Sequence, residues 1–208
     1  MPLTLCVDAR SPDLAVIREA ARMIRDGLVI AYPTDTMYGL AVDPRNADAV
    51  QRLYALKGRP ESSALTLIAA DLGQAQAAGQ MTASAARLAS RWWPGPLTIV
   101  VPARATLARE ILAGGATVGI RVPDHDVAIA LARETGFCVT ATSANRSGAT
   151  AAATPAAVVA ALPDVDAVLD AGPSRGGAPS TIVDASRREI TLVRAGAVPW
   201  ERVLRSLE

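Results

Sequence analysis

Apolar residues along this chain recur with two different spacings, and the switching between them lays out the elements. Short β-branched runs at 3–7, 28–32, 65–69, 97–101, 117–122, 138–141 and 165–169 predict buried strands. Between them, apolar residues three and four apart predict helices over 14–26, 46–56, 71–78, 83–91, 107–112, 124–134 and 154–162, with a last one over 199–207. Local signals mark the ends. Ser11-Pro12-Asp13 starts the first helix and Gly27 stops it; Asn46 caps the second, and Gly58 with Pro60 ends it; Asp124 starts the sixth and Gly136 closes it. Two runs near the end, 181–184 and 190–193, are separated only by a turn and predict an antiparallel pair. Strands that mostly alternate with helices, closed by such a pair, predict an α/β fold: one open, twisted, mixed β-sheet with packed helices. No repeat or long linker divides the chain, so 1–208 reads as a single domain.

The stretch 28–40, LVIAYPTDTMYGL, organises the rest. A buried strand meets Pro33, which ends a ladder, and delivers Thr34, Asp35 and Thr36 at its tip. Ligand sites in α/β proteins lie at such strand ends, although a capped loop reads the same way.

Composition narrows the chemistry. Half the residues are apolar and only 3% aromatic, so the core is built of Ala, Val, Leu and Ile. A net charge of +1 gives no global attraction to nucleic acid or membrane. Lys57 is the only lysine among 21 basic residues; genome bias explains this, and so does a point-charge role that arginine's flat fork does not fill. Cys6 and Cys138 lack metal-ligand spacing and read as reduced, intracellular thiols. The N-terminus lacks the pattern of a signal peptide, and no apolar run approaches the ~20 residues that span a bilayer, so the expected location is cytoplasmic.

Several chemistries drop out. Gly172-Pro173-Ser174-Arg175-Gly176 fits the nucleophile-elbow pattern, but no helix follows and His125, the only histidine, precedes the serine. No glycine-spaced run precedes Lys57, and no cluster has zinc or iron spacing. His125 reads as a solvated surface residue. What remains is a set of hydroxyls and cations at strand ends: Thr36, Lys57 with Arg59, Arg121, Ser143 with Asn145, Ser180 with Thr181, and Arg194. Such groups suit a substrate carrying phosphates and a carboxylate, and the glycines of 172–177 could add backbone N–H groups. Each piece also has an ordinary structural reading; Lys57 and Arg59, for example, suit the dipole of the helix they end.

Seven segments carry a resemblance in their order: YPTDTMYG at 32–39, KGRP at 57–60, WPGPLT at 93–98, GIRVPDH at 119–125, TSANRSG at 142–148, PSTIVD at 179–184 and VRAG at 193–196. Together, over about 15–202, they resemble the YrdC-like (TsaC) family of threonylcarbamoyl-AMP synthases, in its short single-domain form. The resemblance implies the YrdC-like fold with a deep, positively lined cavity. It implies condensation of L-threonine, bicarbonate or CO₂, and ATP to threonylcarbamoyl-AMP and pyrophosphate, the first step of tRNA threonylcarbamoyl-adenosine modification. Mg²⁺ would arrive with ATP, with no metal ligand from the protein. By motif, Thr36, Arg121, Ala141 and Ser180 would bind threonine; Arg59, Ser63, Thr117, Ser143 and Arg194 would bind ATP; Lys57, Arg59, Ser143 and Asn145 form the catalytic signatures. Hand-over to a threonylcarbamoyl-transferase complex of the TsaD/TsaB/TsaE type and weak tRNA binding are implied as well, and no membrane. The chain departs from the pattern at Ala64, where many members have proline, and at Ile68, where many have a histidine near threonine. The rival readings are a YciO-like paralogue and a non-catalytic RNA-binding protein using the same basic hollow.

Overall fold

The computed structural model describes residues 1–207. In chain order the elements are β1 (Leu3–Cys6), α1 (Leu14–Arg25), β2 (Ile30–Tyr32), β3 (Gly39–Ala41), α2 (Ala47–Lys57), β4 (Thr66–Ile68), α3 (Leu72–Ala78), α4 (Ala83–Trp92), β5 (Leu97–Pro102), β6 (Thr117–Arg121), α5 (Asp126–Thr135), β7 (Val139–Ser143), α6 (Pro155–Ala161), β8 (Ala167–Asp170), β9 (Thr181–Asp184), β10 (Thr191–Arg194) and α7 (Trp200–Arg205). The strands form one mixed sheet in the order β1-β8-β2-β3-β7-β4-β6-β5-β9-β10.

The structure corrects the sequence reading at several ends. Asp13, not Ser11, caps α1, its carboxylate accepting from the Ala15 N–H at 2.7 Å, so Pro12 stays outside the helix. His125 rather than Asp124 occupies the N-cap of α5. The expected helix over 107–112 tightens to one 3-10 turn, Arg109–Leu112. A strand absent from the reading, β3, follows the polar tip and returns antiparallel to β2. The tip is therefore a turn between paired strands.

Pairing register decides which side chains share a face, because side chains alternate along a strand. Tyr32 pairs with Gly39, Gly39 with Ser143, Ala141 with Thr66, and Thr66 with Gly119. Ile68 pairs with both Val139 and Arg121, Thr117 with Pro102, and Thr98 with Ile182. All of these residues therefore point to one side. The register slips by one residue between Leu192 and Arg194, so that Arg194, and not Val193, comes opposite Ile182. That slip adds Arg194 to the same face.

The two faces are covered unequally. On the opposite face Leu40, Leu67, Leu97, Ile99, Ile120 and Val183 are buried in one core with Val50 and Leu53 of α2, Leu88 of α4 and Val158 of α6. On the shared face, α1 and α5 cover only the part around Tyr32, Ile68 and Val139, through Ile17, Ile24, Val127 and Leu131. Beyond that cover Thr66, Thr117, Ala141 and Ile182 are partly exposed, and Ser143 and Arg194 exposed.

Candidate functional site

Lys57 is the last residue of α2. Gly58, in the left-handed region at φ 57°, turns the chain out of the helix there. The side chain of Lys57 is buried, 2% exposed. Its ammonium donates to the Ser143 carbonyl, to the Asn145 carbonyl at 2.7 Å and to Asn145 Oδ1 at 3.3 Å. Ser143 Oγ donates to the same Oδ1, the Asn145 amide nitrogen donates to the Ala149 carbonyl, and the Ser147 N–H returns to the Lys57 carbonyl at 2.8 Å. All three ammonium hydrogens thus have acceptors. Burial, helped by the charge of Arg59, pushes the Lys57 pKa down to about 8.

Arg59 leaves the helix end and donates to the carbonyls of Ser63 at 3.4 Å and Ala64 at 3.1 Å. Those carbonyls precede β4, which runs parallel to β6 and antiparallel to β7. The starts of β4 and β6 and the end of β7 consequently lie together. Arg59, Ser63, Thr117 and Ser143 gather at that end of the face.

At the other end of β6, Arg121 pairs with Asp35 across the turn after β2. Nη1 donates to Asp35 Oδ2 at 3.3 Å, and the two side chains are 8% and 7% exposed. Thr34 and Thr36 hydroxyls lie 3.1 Å apart, and Thr34 donates to the Met37 carbonyl at 2.7 Å, which fixes the turn. Ser180 Oγ is 2.9 Å from Thr98 Oγ1. Arg194 donates to the Ser180 carbonyl at 2.7 Å and to its Oγ at 3.2 Å. Partial burial, with a smaller contribution from the charge of Arg121, lowers the Arg194 pKa. Gly196 allows this packing, since a Cβ there would collide with the backbone of Pro179 and Ser180.

Between the two ends the floor is made of small side chains. The Ala141 carbonyl accepts from Thr66 Oγ1 at 2.6 Å. A Cβ on Gly119 would meet the Thr66 and Thr98 methyls at 3.0 and 3.1 Å.

The expected residues therefore fall into two groups on one face, with Thr36 on the adjoining turn. The glycine loop is tied elsewhere: Gly172 accepts from the Tyr38 hydroxyl at 2.7 Å, and the Ser174 N–H donates to Ala153 at 2.8 Å. His125 is not the solvated residue expected of it. It is half-buried, its Nδ1 has no partner, and burial lowers its pKa. Asp35 as the partner of Arg121, and Thr98 as the partner of Ser180, were missed. Both lie inside quoted motifs, Asp35 in YPTDTMYG and Thr98 in WPGPLT, but neither was given a partner. Among the described residues no three His, Cys, Asp or Glu side chains converge as metal ligands, and no helix is long and apolar enough to cross a membrane.

Residues 22–196 match the Sua5_yciO_yrdC family model, whose description is telomere recombination. The chain belongs to the Sua5/YciO/YrdC family. Over 193 residues it is 36% identical to a threonylcarbamoyl-AMP synthase of Bacillus subtilis, a match covering 90% of this chain and 55% of that protein. The structure of P. abyssi Sua5 complexed with L-threonine superposes with a TM-score of 0.93 at 32% identity, covering 98% of this chain and 60% of that one. E. coli YciO superposes at 0.87 with 25% identity, covering 96% and 98%. The chain thus spans just over half the length of the B. subtilis relative. The Sua5/YciO/YrdC assignment agrees with the mixed, open, twisted sheet observed here.

Proposed function

We propose that this chain is a threonylcarbamoyl-AMP synthase, joining L-threonine, bicarbonate and Mg²⁺-bound ATP with release of pyrophosphate. One observation carries the reading: a single partly uncovered sheet face has Arg121, Ser180 and Arg194 at one end and Arg59, Ser63, Thr117 and Ser143 at the other, across a floor of small residues. Support also comes from the synthase relative and from the threonine bound by the Sua5 homologue.

In this reading Arg121 and Thr36, with Ser180 and the backbone of Ala141, hold threonine. The bound ammonium loses a proton to water. The amine so formed attacks CO₂ (bicarbonate having first lost water) and sheds a second proton to give the carbamate. A carbamate oxygen then attacks the α-phosphate, breaking its bond to the departing pyrophosphate. The protein supplies position and charge and no covalent nucleophile, which suits a site built of arginines and hydroxyls. Arg59, Ser63, Thr117, Ser143 and Arg194 would meet the nucleotide. Lys57 acts through the loop it holds: with its three hydrogens engaged by Ser143 and Asn145, it fixes where the Ser143 hydroxyl stands. The product is a mixed carbamic–phosphoric anhydride, which needs an acceptor enzyme, a threonylcarbamoyl transferase of the TsaD/TsaB/TsaE type acting on tRNA.

The test is pyrophosphate release. It is expected only when ATP, bicarbonate and L-threonine are all present; its absence with all three, over a range of Mg²⁺ concentrations, overturns the reading. The near end-to-end match to YciO favours a second reading, a YciO-like paralogue with a different acceptor, for which threonine would not stimulate release.

A further inference from the structure

We propose that Asp35 is an ammonium site, and that with Arg121 it forms a two-ended clamp for an α-amino acid. The inference rests on the synthase reading for the identity of the amino acid, and its core is the state of one oxygen. Asp35 Oδ1 is buried and has no hydrogen-bond partner. It lies 3.0 Å from Arg121 Nη1, but off the direction of that nitrogen's N–H bonds, which serve Oδ2 instead. A buried carboxylate oxygen with an ion-pair neighbour but no hydrogen bond still lacks a donor, so a group that supplies one is expected.

The neighbours do not complete it. The Thr34 hydroxyl proton goes to the Met37 carbonyl, and the Thr36 hydroxyl lies against Thr34. Arg121 meets Asp35 through one nitrogen rather than through its two-pronged edge, the arrangement that a purely structural pair favours. Among the described residues Nε and Nη2 of Arg121 have no partner in the protein.

An α-amino acid supplies what both groups lack. Its carboxylate fits the free edge of Arg121 and relieves the repulsion between Arg121 and Arg194. Its ammonium brings three donors to Asp35 Oδ1, one carbon away from the carboxylate. The site then rejects an acid of the same shape without the amine, because Asp35 would face a hydroxyl with a single donor.

The experiment compares L-threonine with 2,3-dihydroxybutanoate of matching configuration, by calorimetry and by competition in pyrophosphate release. Wild type is expected to bind the dihydroxy acid about 10–100-fold more weakly, the range for one charge-assisted bond. Asp35→Asn keeps the shape and removes the charge; it is expected to weaken threonine by about the same factor and leave the dihydroxy acid within about threefold, so that discrimination collapses. Equal weakening of both ligands would mean that Asp35 only holds Arg121, and unchanged discrimination would remove it from the site; either overturns the proposal while the synthase reading stands. Should the variant not fold, wild type alone decides: affinities within threefold overturn the ammonium site. Wild type that binds neither ligand overturns the synthase reading and the clamp together.

Discussion

The two ends of the uncovered face differ in how fully their polar groups are satisfied. Around Lys57 the bonding is closed: three acceptors surround the ammonium, and Ser143, Asn145, Ser147 and Ala149 are bound into the same knot. Around Arg121 it is open: one hydrogen bond to the guanidinium, one orphan oxygen on Asp35, and Arg194 exposed. A closed polar knot belongs to folding, since breaking it strands buried acceptors. An open one belongs to binding, since its unmet bonds wait for a ligand. Substitutions at the two ends should therefore separate stability from affinity.

The largest expected effect is at the closed end. Lys57→Ala strands the buried carbonyls of Ser143 and Asn145 and should cost about 3–5 kcal/mol in urea unfolding. A loss below about 1 kcal/mol would erase the contrast. Next comes pH. With the Lys57 pKa near 8 in the fold and 10.5 ordinarily, the unfolded chain holds the extra proton between those values. Stability of wild type relative to Lys57→Met should therefore be flat below pH 8 and rise between pH 8 and 10.5, by up to about 3 kcal/mol. A fall across that window would mean that the ammonium's bonds outweigh its burial. At the open end, Arg121→Ala should raise the threonine needed for pyrophosphate release by about 10–100-fold, with the ATP requirement within about threefold. An unchanged threonine dependence would move the carboxylate contact elsewhere. The smallest stability change is expected at Arg194→Ala, within about 0.5 kcal/mol by thermal unfolding, because the side chain is exposed. A larger loss would show that its bonds to Ser180 hold β9 and β10 together.

The architecture was largely legible because its strands and helices differ in apolar spacing and have clear stops. The antiparallel β9–β10 pair, the Asn46 cap and the left-handed exit at Gly58 were all readable from local chemistry. The strand β3 was not, since three residues, Gly39–Ala41, are too few to show a period. The reach of Lys57 to the carbonyls of Ser143 and Asn145 was invisible for a different reason: the acceptors are backbone, which has no signature in sequence. Asp35 and Arg121 stand 86 positions apart, and β3, β7 and β4 lie between β2 and β6 in the sheet, so the two meet only because the turn after β2 reaches across the face. His125 was misjudged because its polarity says nothing about the elements that bury it.

Arg194 owes its direction to a surplus residue in an edge strand. Pairing without that slip would bring Val193 opposite Ile182 and present an isopropyl group where the guanidinium now stands. No named site residue would need to be replaced, and the sheet would remain. Within a family of shared architecture, such a one-residue slip is a route by which a descendant can fall silent, or change its cargo, while a position-by-position comparison of motifs still declares it intact.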